Sequence, residues 1–186
     1  MIGRIRPARP ADAAAVANVH VRGWRETYPG IVPDRFLAGL DESSRERYWR
    51  LVLENPSNRS DIYIAELSID GADRVVGFGV CGPEQVGLAD YTGEFHALYV
   101  LRAGQGRGLG TGLMTAMAGA LAVRGMTAAT VWVLRDNRRA RRFYETLGGR
   151  PVADRPLDFG GTEVMEVAYG WPDVTQILRG GGPSWC

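Results

Sequence analysis

Gly104-Gln105-Gly106-Arg107-Gly108-Leu109-Gly110-Thr111-Gly112 sets five glycines at alternate positions, and the reading of this stretch decides the fold. It follows a strand-like run, Phe95-His96-Ala97-Leu98-Tyr99-Val100-Leu101, and precedes a helix-like run from Leu113-Met114-Thr115-Ala116-Met117 onward. Strand, glycine loop and helix start, in that order, build a cup of free backbone N–H groups. The first N–H groups of a helix have no partner within it, and the helix dipole is positive at that end. Glycines let the chain turn and let an anion approach the backbone. The expected occupant is a phosphate or a pyrophosphate.

Two familiar phosphate loops do not fit. A Walker A loop needs Gly-Lys-Ser/Thr after its spacer, and the chain has no lysine; a dinucleotide fingerprint needs Gly-x-Gly-x-x-Gly, which no window from Gly104 to Gly112 satisfies. Gln-x-x-Gly-x-Gly does fit, at Gln105, Gly108 and Gly110. That pattern, directly after a strand ending in Leu98-Tyr99-Val100, resembles the coenzyme A loop of the GNAT superfamily of N-acetyltransferases. Gly108 and Gly110 carry the pattern with Gln105, while Gly104, Gly106 and Gly112 read as loosening the approach.

A second motif lies downstream. Thr130-Val131-Trp132-Val133-Leu134 is a β-branched and aromatic run that reads as a buried strand, broken by Asp136-Asn137. From Arg138 to Leu147 the spacing predicts a helix, stopped at Gly148-Gly149, with Ala140, Phe143, Tyr144 and Leu147 on one face. The string Asn137-Arg138-Arg139-Ala140-Arg141-Arg142-Phe143-Tyr144-Glu145-Thr146-Leu147-Gly148 is similar to the second half of the same superfamily's core, where an Asn follows a strand and a Phe-Tyr pair sits on the next helix.

The 186 residues suffice for one domain with a proper core, and 45% hydrophobic and 23% charged residues are ordinary globular values. A net charge of +1 gives no reason to expect nucleic acid or a membrane as partner. All 22 basic residues are arginine, which reads as coding bias. Cys81 and Cys186 are too few for a disulfide framework or a metal site and suggest a reducing cytoplasm; neither a signal segment nor a long apolar span is recognisable.

Along the chain, Ile2 to Arg6 reads as a strand, and Pro10-Ala11-Asp12 opens a helix to about Glu26. A short helix follows from Pro33 to near Leu40, then a helix whose start fits a capping box of Ser43 and Glu46. Ile62–Ala65 and Val75–Val80 read as neighbouring strands, and Val152–Leu157 with Glu163–Tyr169 as a closing hairpin around Phe159-Gly160-Gly161. This order resembles the GNAT fold: a mixed α/β (α+β) domain over 1–170 whose largely antiparallel central sheet is flanked by helices. Residues 171–186, with Gly180-Gly181-Gly182-Pro183, read as a loosely ordered tail.

The resemblance implies acetyl-CoA as co-substrate, an amine as acceptor and no metal. Acetyl transfer needs a base for the amine, donors for the carbonyl oxygen and a proton for the departing thiolate. Tyr144 matches the position whose hydroxyl faces the coenzyme A sulfur in the superfamily, and an ordinary core tyrosine is its bland alternative. Glu94, eleven residues before Gln105, matches the catalytic glutamate of the superfamily's histone acetyltransferases, with His96 as the other candidate base. Glu94, His96, Leu98 and Val100 alternate onto one strand face, with Phe95, Ala97 and Tyr99 on the other. The competing reading makes Glu94 a solvated strand end and His96 a half-buried, hydrogen-bonded residue.

Backbone groups of Leu98, Tyr99 and Val100 are expected to meet the carbonyl oxygen and pantetheine arm. The N–H groups of Gln105, Gly106, Arg107, Gly108, Leu109, Gly110 and Thr111 are expected to meet the pyrophosphate, with Asn137, Ala140 and Phe143 on the facing helix. Arg107, and an arginine face of Arg138, Arg139, Arg141 and Arg142, are either phosphate contacts or solvated. Trp24-Arg25-Glu26-Thr27-Tyr28-Pro29-Gly30-Ile31-Val32-Pro33 resembles an opening common among bacterial members, which makes Trp24 and Tyr28 acceptor-lining candidates; plain packing competes. The expected activity is direct transfer in a ternary complex, to a small-molecule or antibiotic amine first, or to a peptide or protein amine. A coenzyme A-binding regulatory module without catalysis is the alternative, and a homodimer is compatible with each reading.

Overall fold

The computed structural model describes residues 3–180. In chain order the elements are β1 (Arg4–Pro7), α1 (Ala13–Thr27), α2 (Asp34–Ala38), α3 (Glu42–Glu54), β2 (Asp61–Ile69), β3 (Ala72–Pro83) and β4 (Gly93–Val100). Then come α4 (Leu109–Val123), β5 (Ala129–Leu134), α5 (Arg138–Thr146), β6 (Arg150–Asp158), β7 (Glu163–Trp171) and α6 (Thr175–Gly180). All seven strands form one sheet in the order β1-β2-β3-β4-β5-β7-β6. Every pairing is antiparallel except β4 with β5, which is parallel and confined to Gly93↔Ala129 and Glu94↔Thr130. Above Glu94 the two strands separate, and a wedge opens in the middle of the sheet. This is the expected mixed, largely antiparallel sheet flanked by helices.

Two cores follow from alternation along the strands. Ile62, Ile64, Phe78 and Val80 bury against Val16, Ala17 and Val19 of α1 and Trp49 of α3. On the other face Cys81, Phe95, Val131, Val133, Tyr169 and Trp171 pack with Met114, Met117 and Leu121 of α4, Tyr144 of α5 and Ile177 of α6. The β2–β3 hairpin turns at Asp70-Gly71, both at positive φ (52° and 78°), as a two-residue turn that matches strand twist requires.

One irregularity corrects the sequence reading. Cys81 pairs with Phe95 and Val80 with Ala97, which leaves His96 as an extra residue, a β-bulge. The bulge flips the alternation: Phe95 shares the α4 face with Leu98, while Ala97 and Tyr99 pack on the α1 side. Glu94 and His96 therefore do not share a face with Leu98 and Val100.

Other boundaries shift for local reasons. Asp41, not Ser43, caps α3, its carboxylate accepting from Ser44 N–H at 2.7 Å. Helix α4 begins at Leu109, so Gly110 and Gly112 lie inside it. The loose tail expected from Trp171 is not what folds: Trp171 and Val174 are fully buried, Ile177 is 1% exposed, and the Trp171 indole donates to Leu147 O at 2.8 Å. Apolar burial outweighs the glycine signal there. The expected strand start at Ile2 and the tail from Gly181 to Cys186 lie outside the described residues.

Candidate active site

A cleft of about 310 Å³ occupies the wedge. Its walls are the end of α1 (Gly23, Thr27, Tyr28), β4 from Leu98 to Val100, the glycine loop, and α5 with Asn137 before it. Beyond the β4–β5 junction, β4 has a ladder partner only in β3, so its other edge faces the cleft. The N–H groups of Gly104 and Gln105 are satisfied by Leu101 O and Arg102 O, and that of Gly112 by Gly108 O. Between them Gly106, Arg107, Gly108, Leu109, Gly110 and Thr111 have no backbone acceptor among the described residues. These are the orphan donors of a helix start without a side-chain cap, since the N-cap residue is Gly108.

The glycines divide by purpose, which revises the weights read from sequence. Gly106 (φ 70°) and Gly108 (φ 74°) hold left-handed backbone, and a Cβ at either would meet open space. Gly106 is thus a conformational necessity, not a loosener. Gly104, Gly110 and Gly112 are close-contact positions, where a Cβ would lie 2.9 Å from Val76 Cγ2, 3.3 Å from Phe143 Cζ and 3.0 Å from Ile5 Cγ1. The Gln105 side chain is spent internally: its amide donates to Val100 O at 2.7 Å and ties the loop to the strand end.

Asn137 caps α5, its side-chain oxygen accepting from Ala140 N–H at 3.1 Å, and it lines the cleft with Ala140 and Phe143. Tyr144 lines the inner end, its ring packed against Phe143, Tyr169 and Trp171. Burial pushes the Tyr144 phenol well above its ordinary range, so it stays protonated at neutral pH. Burial also raises the Tyr28 phenol, offset in part by hydrogen bonding with the Tyr99 and Asn137 side chains, with the Glu166 charge adding to the rise. Tyr99 is raised further still, chiefly by burial. Three neutral phenols thus gather at the inner end.

Four candidates do not line the cleft. Arg107 folds back, its guanidinium donating to Ala103 O at 3.2 Å. Trp24 sits behind Tyr28, packed on Tyr28, Phe36 and Phe159, its indole N–H buried and unpartnered. Glu94 and His96 lie further down β4. The Glu94 carboxylate accepts from Gln85 N–H at 3.1 Å, and its other oxygen is 3.5 Å from His96 Nδ1. His96 Nε2 is buried without a partner, as are Thr130 Oγ1 and Trp132 Nε1. Glu94 is not a solvated strand end, for its side chain is only 10% exposed.

Of the four arginines on α5, Arg139 lines the cleft, while Arg141 donates to the Tyr169 hydroxyl and Arg135 O. Sequence reasoning also missed Gly23 and Thr27. A glycine inside the α1 pattern was the available signal: a Cβ at Gly23 would lie 3.1 Å from the Tyr99 ring, so the close approach of the helix to β4 depends on its absence. Among the described residues no cluster of His, Cys, Asp or Glu is arranged to hold a metal, and no helix is long and apolar enough to cross a membrane.

Comparison with known proteins gives the family and the fold. The model of the acetyltransferase (GNAT) family matches residues 24–148. The uncharacterized N-acetyltransferase YuaI of Bacillus subtilis (strain 168) is 30% identical over 173 residues, covering 93% of this chain and 95% of that protein. The fold is shared with the PaiA N-acetyltransferase of Thermoplasma acidophilum in complex with coenzyme A (TM-score 0.68, 18% identity, 89% of this chain, 98% of that one). It is shared also with the YncA putative acetyltransferase of Salmonella typhimurium with acetyl-CoA (TM-score 0.66, 22% identity, 92% and 94%).

Proposed function

The chain belongs to the acetyltransferase (GNAT) family and so is an acyltransferase, and we propose that it moves the acetyl group of acetyl-CoA directly onto a primary amine within a ternary complex. One observation carries the reading: six consecutive N–H groups without acceptors stand beside an open strand edge in a single cleft. A diphosphate and an amide-bearing arm are the complement of those two features. Gly106 to Thr111 would hold the pyrophosphate, and Leu98, Tyr99 and Val100 the arm and the thioester oxygen. Asn137, Ala140 and Phe143 would form the facing wall. When bound, acetyl-CoA supplies an acetyl group activated as a thioester.

Tyr144 Oη, protonated at neutral pH at the inner end of the cleft, then gives its proton to the departing sulfur and regains one from water before the next turnover. Glu94, with His96 as the alternative, draws the proton from the attacking amine through water, since neither side chain lines the cleft. The nitrogen–carbon bond forms as the carbon–sulfur bond breaks, and no cysteine takes part. Tyr28 faces the acceptor, with Trp24 packed behind it as support, and we take that acceptor to be a small-molecule amine. The sparse cysteine content supports a cytoplasmic setting.

The test is free-thiol release from acetyl-CoA across a panel of small amines, antibiotics and peptides. Amine-dependent release is expected with a small amine. Tight acetyl-CoA binding without release from any amine would instead favour the regulatory module.

A further inference from the structure

Resting on the acetyl-transfer reading, we propose that Glu166 is a specificity residue which selects acceptors carrying a second cation beside the reacting amine. The sheet face opposite α4 and α5 supports this. Leu134, at the end of β5, is buried with Tyr28 and Trp24, and Glu166 stands directly across the β5–β7 ladder from it. Residues so paired share a face at roughly 5 Å spacing, so Glu166, which like Leu134 does not line the cleft itself, lies one ladder step beyond the side chains that meet cleft-lining Tyr28.

The carboxylate is fixed and half-satisfied. Arg155, its partner across β6–β7, sends both Nε and Nη2 to the same oxygen, Oε2, each at 2.9 Å. The Arg155 guanidinium is itself held 4.1 Å over the Trp132 ring. Oε1 takes no hydrogen bond from any described residue and, unlike the Thr130 and Trp132 polar atoms, is not sealed from solvent, so it is open to a ligand's donor. Such an oxygen calls for a donor, and an ammonium group is its strongest complement. The same face holds Glu94 and the unpartnered polar atoms of Thr130 and Trp132, so its polar capacity exceeds what the protein fills. A carboxylate with one oxygen already engaged by arginine offers the other as an anchor for a second positive charge.

The test compares 1,4-diaminobutane with 4-amino-1-butanol, which replaces one ammonium by a hydroxyl, by calorimetric titration with and without coenzyme A. The native chain should bind the diamine at least ten-fold more tightly. Glu166→Gln should reduce that gap to within two-fold. Arg155→Gln, which leaves the carboxylate and removes the competing cation, should widen it. Equal affinities in the native chain, or a gap that survives in Glu166→Gln, would overturn the proposal. Thiol release with the diamine and with the amine panel is measured in parallel: a binding gap without release from any of them counts against the acetyl-transfer reading and leaves the cation site standing.

Discussion

Individual residues decide whether the cleft can hold a diphosphate and release a thiol. Gly108 has left-handed backbone, and a Cβ added to it would touch no neighbouring atom, so a side chain there costs conformation rather than space. Gly108→Val should place about 1–2 kcal/mol of strain in the loop and weaken acetyl-CoA binding about ten-fold, as read by calorimetry. Native-like affinity would remove the loop from the binding site. Tyr144→Phe removes only the hydroxyl from a fully packed ring. It should lower kcat by about 10²-fold with little change in acetyl-CoA affinity, and an unchanged kcat would end its role as acid. At this scale the sequence was most legible where a motif fixed a backbone conformation, as at Gly108 and Asn137. It was least legible where one side chain could serve two masters: Gln105 is spent on Val100 O and Arg107 on Ala103 O.

Helix starts and strand irregularities set the frame around those residues. Asn137 and Asp41 both cap helices, but only Asn137 lines the cleft. Asn137→Ala and Asp41→Ala should each cost about 1 kcal/mol in chemical denaturation. Only the first should also weaken acetyl-CoA binding; equal binding losses in both would contradict a local site. The strand–loop–helix and strand–helix units were readable because turn residues bounded strongly periodic runs. The bulge at His96 was not, because it is specified by pairing with Val80 and Cys81 on β3 rather than by any feature of β4 itself. Helix α6 escaped notice for a related reason: Ile177 is apolar in a short polar and glycine-rich segment, and only the core formed by α4 and Trp171 gives it somewhere to bury.

For the whole molecule, acid stability hinges on a histidine outside the site. Burial lowers the His20 pKa to about 4, and its ring packs against Trp24, Trp49, Phe78 and Tyr99 while Nδ1 accepts the Trp49 indole N–H at 3.2 Å. The unfolded chain binds this proton near pH 6.5 and the folded chain only near pH 4. Its stabilising contribution is therefore full above pH 6.5 and is lost as the pH falls toward 4. Between pH 7 and 4.5 the unfolding free energy should drop by on the order of 2 kcal/mol, and His20→Gln should flatten that slope. An equal slope in both proteins would show that other groups dominate. By itself the sequence determined the order of elements as far as β7, the family resemblance and the glycine loop, because turn chemistry and hydrophobic period are local properties of the chain. Only the tertiary structure decided that β4 and β5 touch at two residue pairs and then part, and that Glu94 lies below the cleft. It alone set Glu166 against the side chains that meet Tyr28. Those facts depend on strands distant in sequence packing against shared helices, and no local pattern encodes such a meeting.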